Sequence, residues 1–508
     1  MGSSLSQICN RPLKKAHLLR CARPPRSDVP PKYAYARCFL TRLASGTFLT
    51  GLRTGLFNTP FKLLSLAWRI SLALFFLAQT GCITYPAVSS GVVNLDKLQE
   101  IKKGLVAIRG LKFIDEVPIT VKKKDEIRKY LEASLLREYG EERLKNISLA
   151  YAKLGLFPRR FDLRKSLLDF YNSQVVAFYD PKEKKLILPE DLGGGNLLGA
   201  VQFPAQRDIL GEMVLAHELT HALQDQHFSL GERLGPSNND DKSLAFRAVA
   251  EGDATLSGFG YLFGGLGDKS LVHVNQAVQG STREARATLS DVPKALVEQL
   301  LFQYYGGVSF VSRLLEEKGW LGVNRLYAFP PLSTEQILHP EKYFDLPDPP
   351  TGIDFKDLSS LFPSGWEEIE DNVLGELMVQ VLFTEFLSEK EGKAVANGWD
   401  GDRFVAFRRG DEVSFIWATV WDSSSDAEEF FKKYQEILSK RYGGSGAASS
   451  HAYIEQRDQQ VVIVEGLERA HVEDHVKKIW LGISLSSLTP GQSETQQESD
   501  GAQSRVDF

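Results

Sequence analysis

Residues 207–228 have the sequence RDILGEMVLAHELTHALQDQHF, and this stretch decides the fold of the chain around it. It contains no proline, and its apolar side chains recur at helical spacing. Such spacing predicts a helix with one buried face. The apolar positions are Ile209, Met213, Ala216 and Leu223.

The segment His217-Glu218-Leu219-Thr220-His221 within this helix predicts a metal centre. Two histidines four residues apart on a helix share one face, so both imidazoles can bind one tetrahedral ion. The carboxylate of Glu218 can then take a proton from the attacking water and pass it to the leaving amine. The alternative is a helix with surface histidines, because so short a pattern also arises by chance. The helical context, an upstream hairpin and an exported chain favour the metal site.

A third ligand is required, and His227 and Glu251 are the candidates. His227 lies ten residues after His217, which is the spacing of the last histidine in metzincins. Metzincins also require a glycine where this chain has Gln224, and no Met-turn follows. Glu251 lies thirty residues after His221 on a second predicted helix, an order that resembles the gluzincins, exemplified by thermolysin. This resemblance implies Zn²⁺ held by His217, His221 and Glu251.

The resemblance to gluzincins also implies a residue that orients a ligating histidine. In that family an acid one turn after the glutamate often does so, but this chain has Thr255 there. Asp253 or Asp225 would have to make the contact instead. Arg247, one turn before Glu251, either pairs with a carboxylate of the site or lies on a solvated face.

Hydrolysis of an amide needs a group that stabilises the developing oxyanion, and His339 is the first candidate. It precedes Pro340 in a polar segment between predicted helices, and some membrane-associated gluzincins have a similar histidine-proline pair. Tyr304 and Tyr305 are the second choice. For all three residues, packing without a catalytic role is the alternative.

Residues 174–188, QVVAFYDPKEKKLIL, predict a β-hairpin, because two β-prone runs flank the turn-forming residues 180–183. In gluzincins the strand before the active helix binds substrate as an added strand, which implies an extended polypeptide substrate.

Several segments together resemble a bacterial family of uncharacterised metallopeptidases, many of them lipoproteins. The resemblance covers about residues 105 to 440 and rests on HELTHALQDQHF, EGDATL, QVVAFYDP, PPLSTEQILHPEKY and GWDGDRF.

The chain has 508 residues with 43% hydrophobic and 25% charged side chains, which indicates folded domains and argues against a polytopic membrane protein or a wholly disordered chain. We predict an α+β fold. A mostly helical, zincin-like metallopeptidase domain with an upstream hairpin or sheet occupies residues 91–350, and a smaller α+β domain occupies 351–485. Residues 486–508 predict a disordered tail. Further helices are predicted at 243–263, 291–304, 308–317, 366–389 and 426–441, and strands at 117–121, 403–407, 413–421 and 461–467.

Residues 1–90 predict a signal or targeting region. All four cysteines of the chain lie there, and the apolar run at 70–78 follows basic residues and precedes Thr-Gly-Cys82. This order resembles a bacterial lipoprotein signal and implies an exported envelope protein, anchored to the membrane by a lipid at Cys82. An uncleaved signal and an organellar transit peptide are the alternatives.

Charge is divided unevenly along the chain. Residues 1–95 contain twelve Lys or Arg and one acid, so the rest of the chain has a net charge of about −16. An acidic body argues against nucleic acid as a partner.

Taken together, the motif, the hairpin and the signal predict a zinc-dependent endopeptidase of the cell envelope that cleaves extended polypeptides with Glu218 as general base. The alternative is a non-catalytic, zinc-containing envelope protein for binding or assembly.

Overall fold

The structure is a computed structural model that describes residues 88–174, 177–190, 207–235, 237–356, 365–444, 451–467 and 469–488. The first elements are β1 (Val88–Ser89), β2 (Val92–Val93), α1 (Leu95–Arg109), β3 (Ile119–Lys122), α2 (Lys124–Tyr139), α3 (Glu141–Leu154) and α4 (Leu163–Gln174). Local sequence sets the ends of α1. Asn94 caps this helix by accepting a hydrogen bond from the N–H of Lys97, and Gly110 ends it in the left-handed conformation.

The predicted hairpin is confirmed as β4 (Phe178–Asp180) and β5 (Lys185–Pro189), which pair antiparallel. The predicted strand before it is also confirmed, because β3 pairs parallel with β5. The strand order is β3-β5-β4, so β4 lies at an edge of this sheet. Leu186 and Leu188 of β5 are buried in a core that also contains Leu215, Leu219 and Leu223 of the following helix.

The helices that follow are α5 (Arg207–Phe228), α6 (Leu230–Arg233), α7 (Asp240–Phe263), α8 (Asp268–Thr288), α9 (Lys294–Ala328), α10 (Thr334–Leu338) and α11 (Glu341–Phe344). The predicted helices at 207–228 and 243–263 are confirmed as α5 and α7. The prediction of separate helices at 291–304 and 308–317 is wrong, because α9 continues through Gly306 and Gly307. Its break lies at Gly319, whose φ is 63°.

Gly306-Gly307 looks like a helix break in sequence, but Gly307 lies where α7 and α9 cross. A Cβ atom added to Gly307 would overlap the carbonyl oxygen of Ala248, and one added to Gly252 would overlap that of Gly307. The two backbones therefore touch, which only residues without a side chain permit. This contact fixes α7 against α9 beside Glu251.

We expect Gly307→Ala to destabilise the protein by about 1–3 kcal/mol, the usual range for an overpacked core, because the backbone of α7 cannot yield to the methyl group. The free energy of unfolding from urea titration measures this. Gly280→Ala in α8 is the matched control, since a Cβ atom there meets nothing within 4 Å. It should stabilise the protein by about 0.5–1 kcal/mol through helix propensity. Equal effects of the two changes would contradict the close crossing.

The C-terminal part combines sheets and helices: β6 (Thr351–Phe355), β7 (Glu367–Asn372), α12 (Gly375–Phe386), α13 (Glu389–Ala396), β8 (Trp399–Arg409), β9 (Glu412–Trp421), α14 (Ser424–Tyr442), β10 (Ala452–Arg457), β11 (Gln460–Glu465), α15 (Arg469–Gly482) and β12 (Ile483–Ser487). An antiparallel sheet has the order β10-β11-β9-β8-β7, and β12 pairs with β6. The predicted helix at 366–389 is wrong over 367–372, which form β7 by pairing with β8. The predicted helix at 426–441 and the three predicted strands are confirmed.

The mixed α+β class predicted from sequence is confirmed. Trp399, Trp417 and Trp421 are fully buried, as expected for core residues of strands. The largest apolar core contains Phe259 and Phe404, which lie on opposite sides of the boundary predicted at residue 350. The division into 91–350 and 351–485 stays a prediction.

Residues 1–87 of the predicted signal or targeting region, with Cys82, lie outside the described residues, as do residues 489–508 of the predicted tail. Val88 and Ser89, at the end of the region predicted as signal, form β1. Ser486 and Ser487 at the start of that tail belong to β12. Among the described helices, none combines the length and hydrophobicity needed to span a membrane.

Candidate metal centre

Three of the predicted site residues meet where α5 packs against α7. Nε2 of His217 lies 3.1 Å from Oε2 of Glu251, and Nε2 of His221 lies 3.5 Å from Oε1 of the same carboxylate. The two Nε2 atoms are 3.1 Å apart. The structure therefore brings together both histidines of the α5 segment and the glutamate chosen as third ligand.

The spacing of these atoms fits a tetrahedral ion. Zinc bonds of about 2.0–2.1 Å place neighbouring ligand atoms about 3.3 Å apart in a tetrahedron. The three separations lie close to that value. The buried Oε2 of Glu251 makes no hydrogen bond within the described part of the chain, which suits an atom that binds a cation. The donor set of two imidazoles and one carboxylate fits Zn²⁺, although the role of these residues as ligands stays a prediction.

The cluster is largely buried. The side chain of His217 is 5% exposed, that of His221 12% and that of Glu251 20%.

Electrostatics couple His221 to Glu251. Burial lowers the pKa of His221, but the adjacent Glu251 carboxylate outweighs burial and raises this pKa to about 9. Burial likewise opposes ionisation of Glu251, yet the two histidines hold its pKa well below its usual range. Without a metal, His221 is thus protonated and paired with ionised Glu251 at neutral pH.

Zinc binding should therefore depend on pH. A cation must displace the His221 proton, so we expect the apparent affinity for Zn²⁺ to rise about tenfold per pH unit up to about pH 9 and then level off. Competition titrations against a chelator of known affinity at each pH measure this. An affinity that stays constant between pH 7 and 8.5 would show that the metal-free His221 is not protonated.

Glu218 lies between the two histidines and contacts the edge strand. Its Oε2 accepts a hydrogen bond of 2.8 Å from the backbone N–H of Tyr179 in β4. Burial raises the pKa of Glu218, against the opposing effect of the two histidines. A carboxyl group with a raised pKa accepts a proton more readily than an exposed one, which suits a general base.

Behind His221, α5 contributes a contact that the sequence did not suggest. Nδ1 of His221 lies 2.8 Å from Oε1 of Gln224, and Nε2 of Gln224 donates to the carboxylate of Asp253 at 3.1 Å. Asp253 was one candidate for orienting a histidine, and it contacts His221 only through Gln224. Asp225, the other candidate, accepts hydrogen bonds from the hydroxyl of Tyr179 and the N–H of Gly231.

The remaining candidates have other partners. Nε2 of His227 lies 2.7 Å from the carbonyl oxygen of Lys112. Arg247 donates to the carbonyl oxygen of Leu234. Neither residue belongs to the three-residue cluster.

His339 lies in a different part of the fold. Its Nε2 is 2.9 Å from Oε1 of Glu376 in α12. The adjacent α10 is held to Asp241 by Thr334, and Asp241 precedes Glu251 by ten residues of α7, or about 15 Å along the helix axis. A role of His339 in oxyanion stabilisation stays a prediction, and this pairing does not support it.

Tyr304, one of the two second choices, does contact the cluster. Its ring stacks against that of His217 with a centroid separation of 6.4 Å and an interplanar angle of 30°. The neighbouring Tyr305 points elsewhere, because its hydroxyl donates to Glu298 at 3.4 Å. Tyr304 lies on α9, the helix that crosses α7 at the glycine contact.

A second group of carboxylates consists of Glu335, Asp348 and Asp422. The ammonium group of Lys342 lies 2.6 Å from Glu335, 3.1 Å from Asp348 and 2.8 Å from Asp422. Lys342 thus already supplies the positive charge that this group needs. Only the cluster of His217, His221 and Glu251 remains a candidate metal centre within the described residues.

One family model matches the chain, a domain of unknown function (DUF8575), over residues 362–476. The match lies within the predicted C-terminal domain and contains none of the three clustered residues. No curated protein and no solved structure matches the chain.

Proposed function

We propose that the protein is a zinc-dependent endopeptidase with a zincin-like catalytic domain. The observation that carries the proposal is the cluster of His217, His221 and Glu251 at ligand spacing, with Glu218 beside it. A zinc ion there would act as a Lewis acid towards a carbonyl group and lower the pKa of a water.

Glu218 supplies the proton chemistry in this proposal. Its Oε2 is held by the N–H of Tyr179, which leaves Oε1 to accept a proton from the attacking water. The same carboxyl group can then deliver the proton to the departing amine. The backbone bond fixes the position of the carboxylate during both transfers, so little reorganisation is required.

The substrate in this proposal is an extended polypeptide that adds to β4. That strand is an edge of its sheet, and edge strands accept further strands by backbone hydrogen bonds. The N–H of Tyr179 donates to Glu218 and so does not pair with β5. The edge of β4 that is not paired with β5 therefore faces the general base. A peptide added there would lie beside Glu218.

The oxyanion of the tetrahedral intermediate needs a donor, and we propose Tyr304 for this role in place of His339. The ring contact of Tyr304 with His217 supports the choice.

The proposed lipid anchor at Cys82 and the proposed location in a bacterial cell envelope rest on the sequence of residues 1–90 alone.

Metal analysis and hydrolysis together test the proposal. We expect the purified full-length protein to contain about one zinc ion per chain and to cleave unfolded casein. A chelator should abolish cleavage, and added Zn²⁺ should restore it. Zinc without cleavage of any unfolded substrate would favour the alternative, a non-catalytic binding or assembly protein. Absence of zinc would refute the metal site.

A further inference from the structure

A chain of hydrogen bonds leads from His221 away from the metal cluster into the helical core. Oε1 of Gln224 lies 2.8 Å from Nδ1 of His221. Nε2 of Gln224 donates to the carbonyl oxygen of Ala250 at 2.9 Å and to Oδ2 of Asp253 at 3.1 Å. Gln224 and Asp253 are both fully buried, so water does not substitute for these partners.

The partners of Gln224 decide which way its amide points. A side-chain amide has one acceptor oxygen and one donor nitrogen. A carbonyl oxygen and a carboxylate only accept, so the nitrogen must face Ala250 and Asp253 and the oxygen must face His221. Since that oxygen cannot donate, Nδ1 of His221 must carry the hydrogen. In the neutral ring that can bind a metal, the lone pair therefore lies on Nε2, which faces His217 and Glu251.

Asp253 is in turn held by a buried arginine from a distant part of the chain. Nε of Arg109 lies 2.9 Å from Oδ1 of Asp253, and its terminal nitrogen donates to Oδ2 at 3.0 Å. Both side chains of this ion pair are fully buried. Tyr327 adds a hydrogen bond to Oδ2 at 2.8 Å, and Asn324 accepts one from Arg109 at 2.8 Å. The pair keeps Asp253 an acceptor.

We propose that Gln224 is a positioning residue for metal binding, which fixes the tautomer of His221, and that the pair of Arg109 and Asp253 fixes Gln224. This inference rests on the proposed zinc site. Ligating histidines are commonly oriented by a carboxylate or a backbone carbonyl. Here an amide stands between the histidine and the carboxylate, so the negative charge of Asp253 is kept from direct contact with His221.

Zinc affinity tests the proposal without reference to hydrolysis. We expect Gln224→Leu in the full-length protein to lower the affinity for Zn²⁺ about 10–100-fold in chelator competition at pH 8. The matched control is Tyr327→Phe. It removes one donor from the same oxygen of Asp253 but keeps Gln224, Asp253 and Arg109 in contact. Its zinc affinity should remain close to that of the wild type.

A second variant keeps the volume of the side chain. Gln224→Met removes the amide without leaving a large cavity, and it should lower zinc affinity like Gln224→Leu. In zinc-loaded protein with ¹⁵N-labelled histidine, an Nδ1–H signal of His221 should be present in the wild type.

The outcomes separate this inference from the proposed function. Wild-type affinity in Gln224→Leu, or an equal loss in Tyr327→Phe, would overturn the role of Gln224. If Gln224→Leu does not fold, wild-type zinc affinity in Gln224→Met would do the same. A wild type that binds zinc without cleaving casein, with Gln224→Leu weakened, would refute the peptidase and support the positioning role. A wild type that binds no zinc would refute both.

Discussion

Glu218→Gln should reduce casein hydrolysis about 10²–10⁴-fold, the range by which a positioned general base accelerates a reaction, while zinc binding is retained. The amide oxygen of glutamine can still accept the hydrogen bond that the N–H of Tyr179 donates to Oε2 of Glu218. The geometry of β4 and α5 is therefore preserved. What is lost is the ability to take a proton from water. Rates measured with zinc-loaded protein, together with zinc content, check this prediction.

Glu212→Gln is the matched control for that change. Glu212 lies on the same helix, but its carboxylate pairs with Lys97 at 2.9 Å and accepts a hydrogen bond from Tyr261. Hydrolysis by this variant should stay close to that of the wild type. If Glu218→Gln retains full activity, another group is the base or a contaminating protease is responsible. Loss of zinc in Glu218→Gln would mean that the residue is needed for the metal site itself.

The sequence predicted the site-bearing helices because the relevant signals are local. Apolar spacing without proline defined α5, and the two histidines on one face needed only its periodicity. The position of Glu251 followed from its order after His221. The segment at 367–372 was assigned wrongly because its strand conformation depends on pairing with β8, more than thirty residues later. Propensity within the segment contains no information about that partner.

The contacts around the cluster could not be predicted, since they join distant residues. Gln224 entered the sequence argument only as a residue that is not glycine, and its role depends on Asp253 in α7 and Arg109 in α1. Tyr304 lies on α9 and His217 on α5, so their contact depends on how these two helices pack. His339 was selected by resemblance, and its pairing with Glu376 is evident only in the fold.

Glu251→Ala should cost more zinc affinity than the ~10–100-fold that loss of a supporting contact causes, because it removes a ligand. His227→Ala should keep the zinc. His227 contacts the carbonyl oxygen of Lys112, so its loss should lower the free energy of unfolding by about 0.5–1.5 kcal/mol, the net value of one hydrogen bond. Elemental analysis and chelator competition on both variants compare the two candidates directly. Zinc lost in His227→Ala and kept in Glu251→Ala would reverse the choice of ligand.

The metal-free form of Glu251→Ala tests the geometry even if zinc binding proves weak. The Glu251 carboxylate raises the pKa of His221 to about 9 against the opposing effect of burial. Without the carboxylate the main upward influence is gone and burial remains, so the pKa of His221 should fall. A histidine NMR titration of wild type and variant measures this shift. An unchanged pKa would mean that Glu251 does not lie beside His221 in solution. If the pKa of His221 is lower in the variant but the wild type binds no zinc, the geometry of the cluster is supported and the metal ion is rejected.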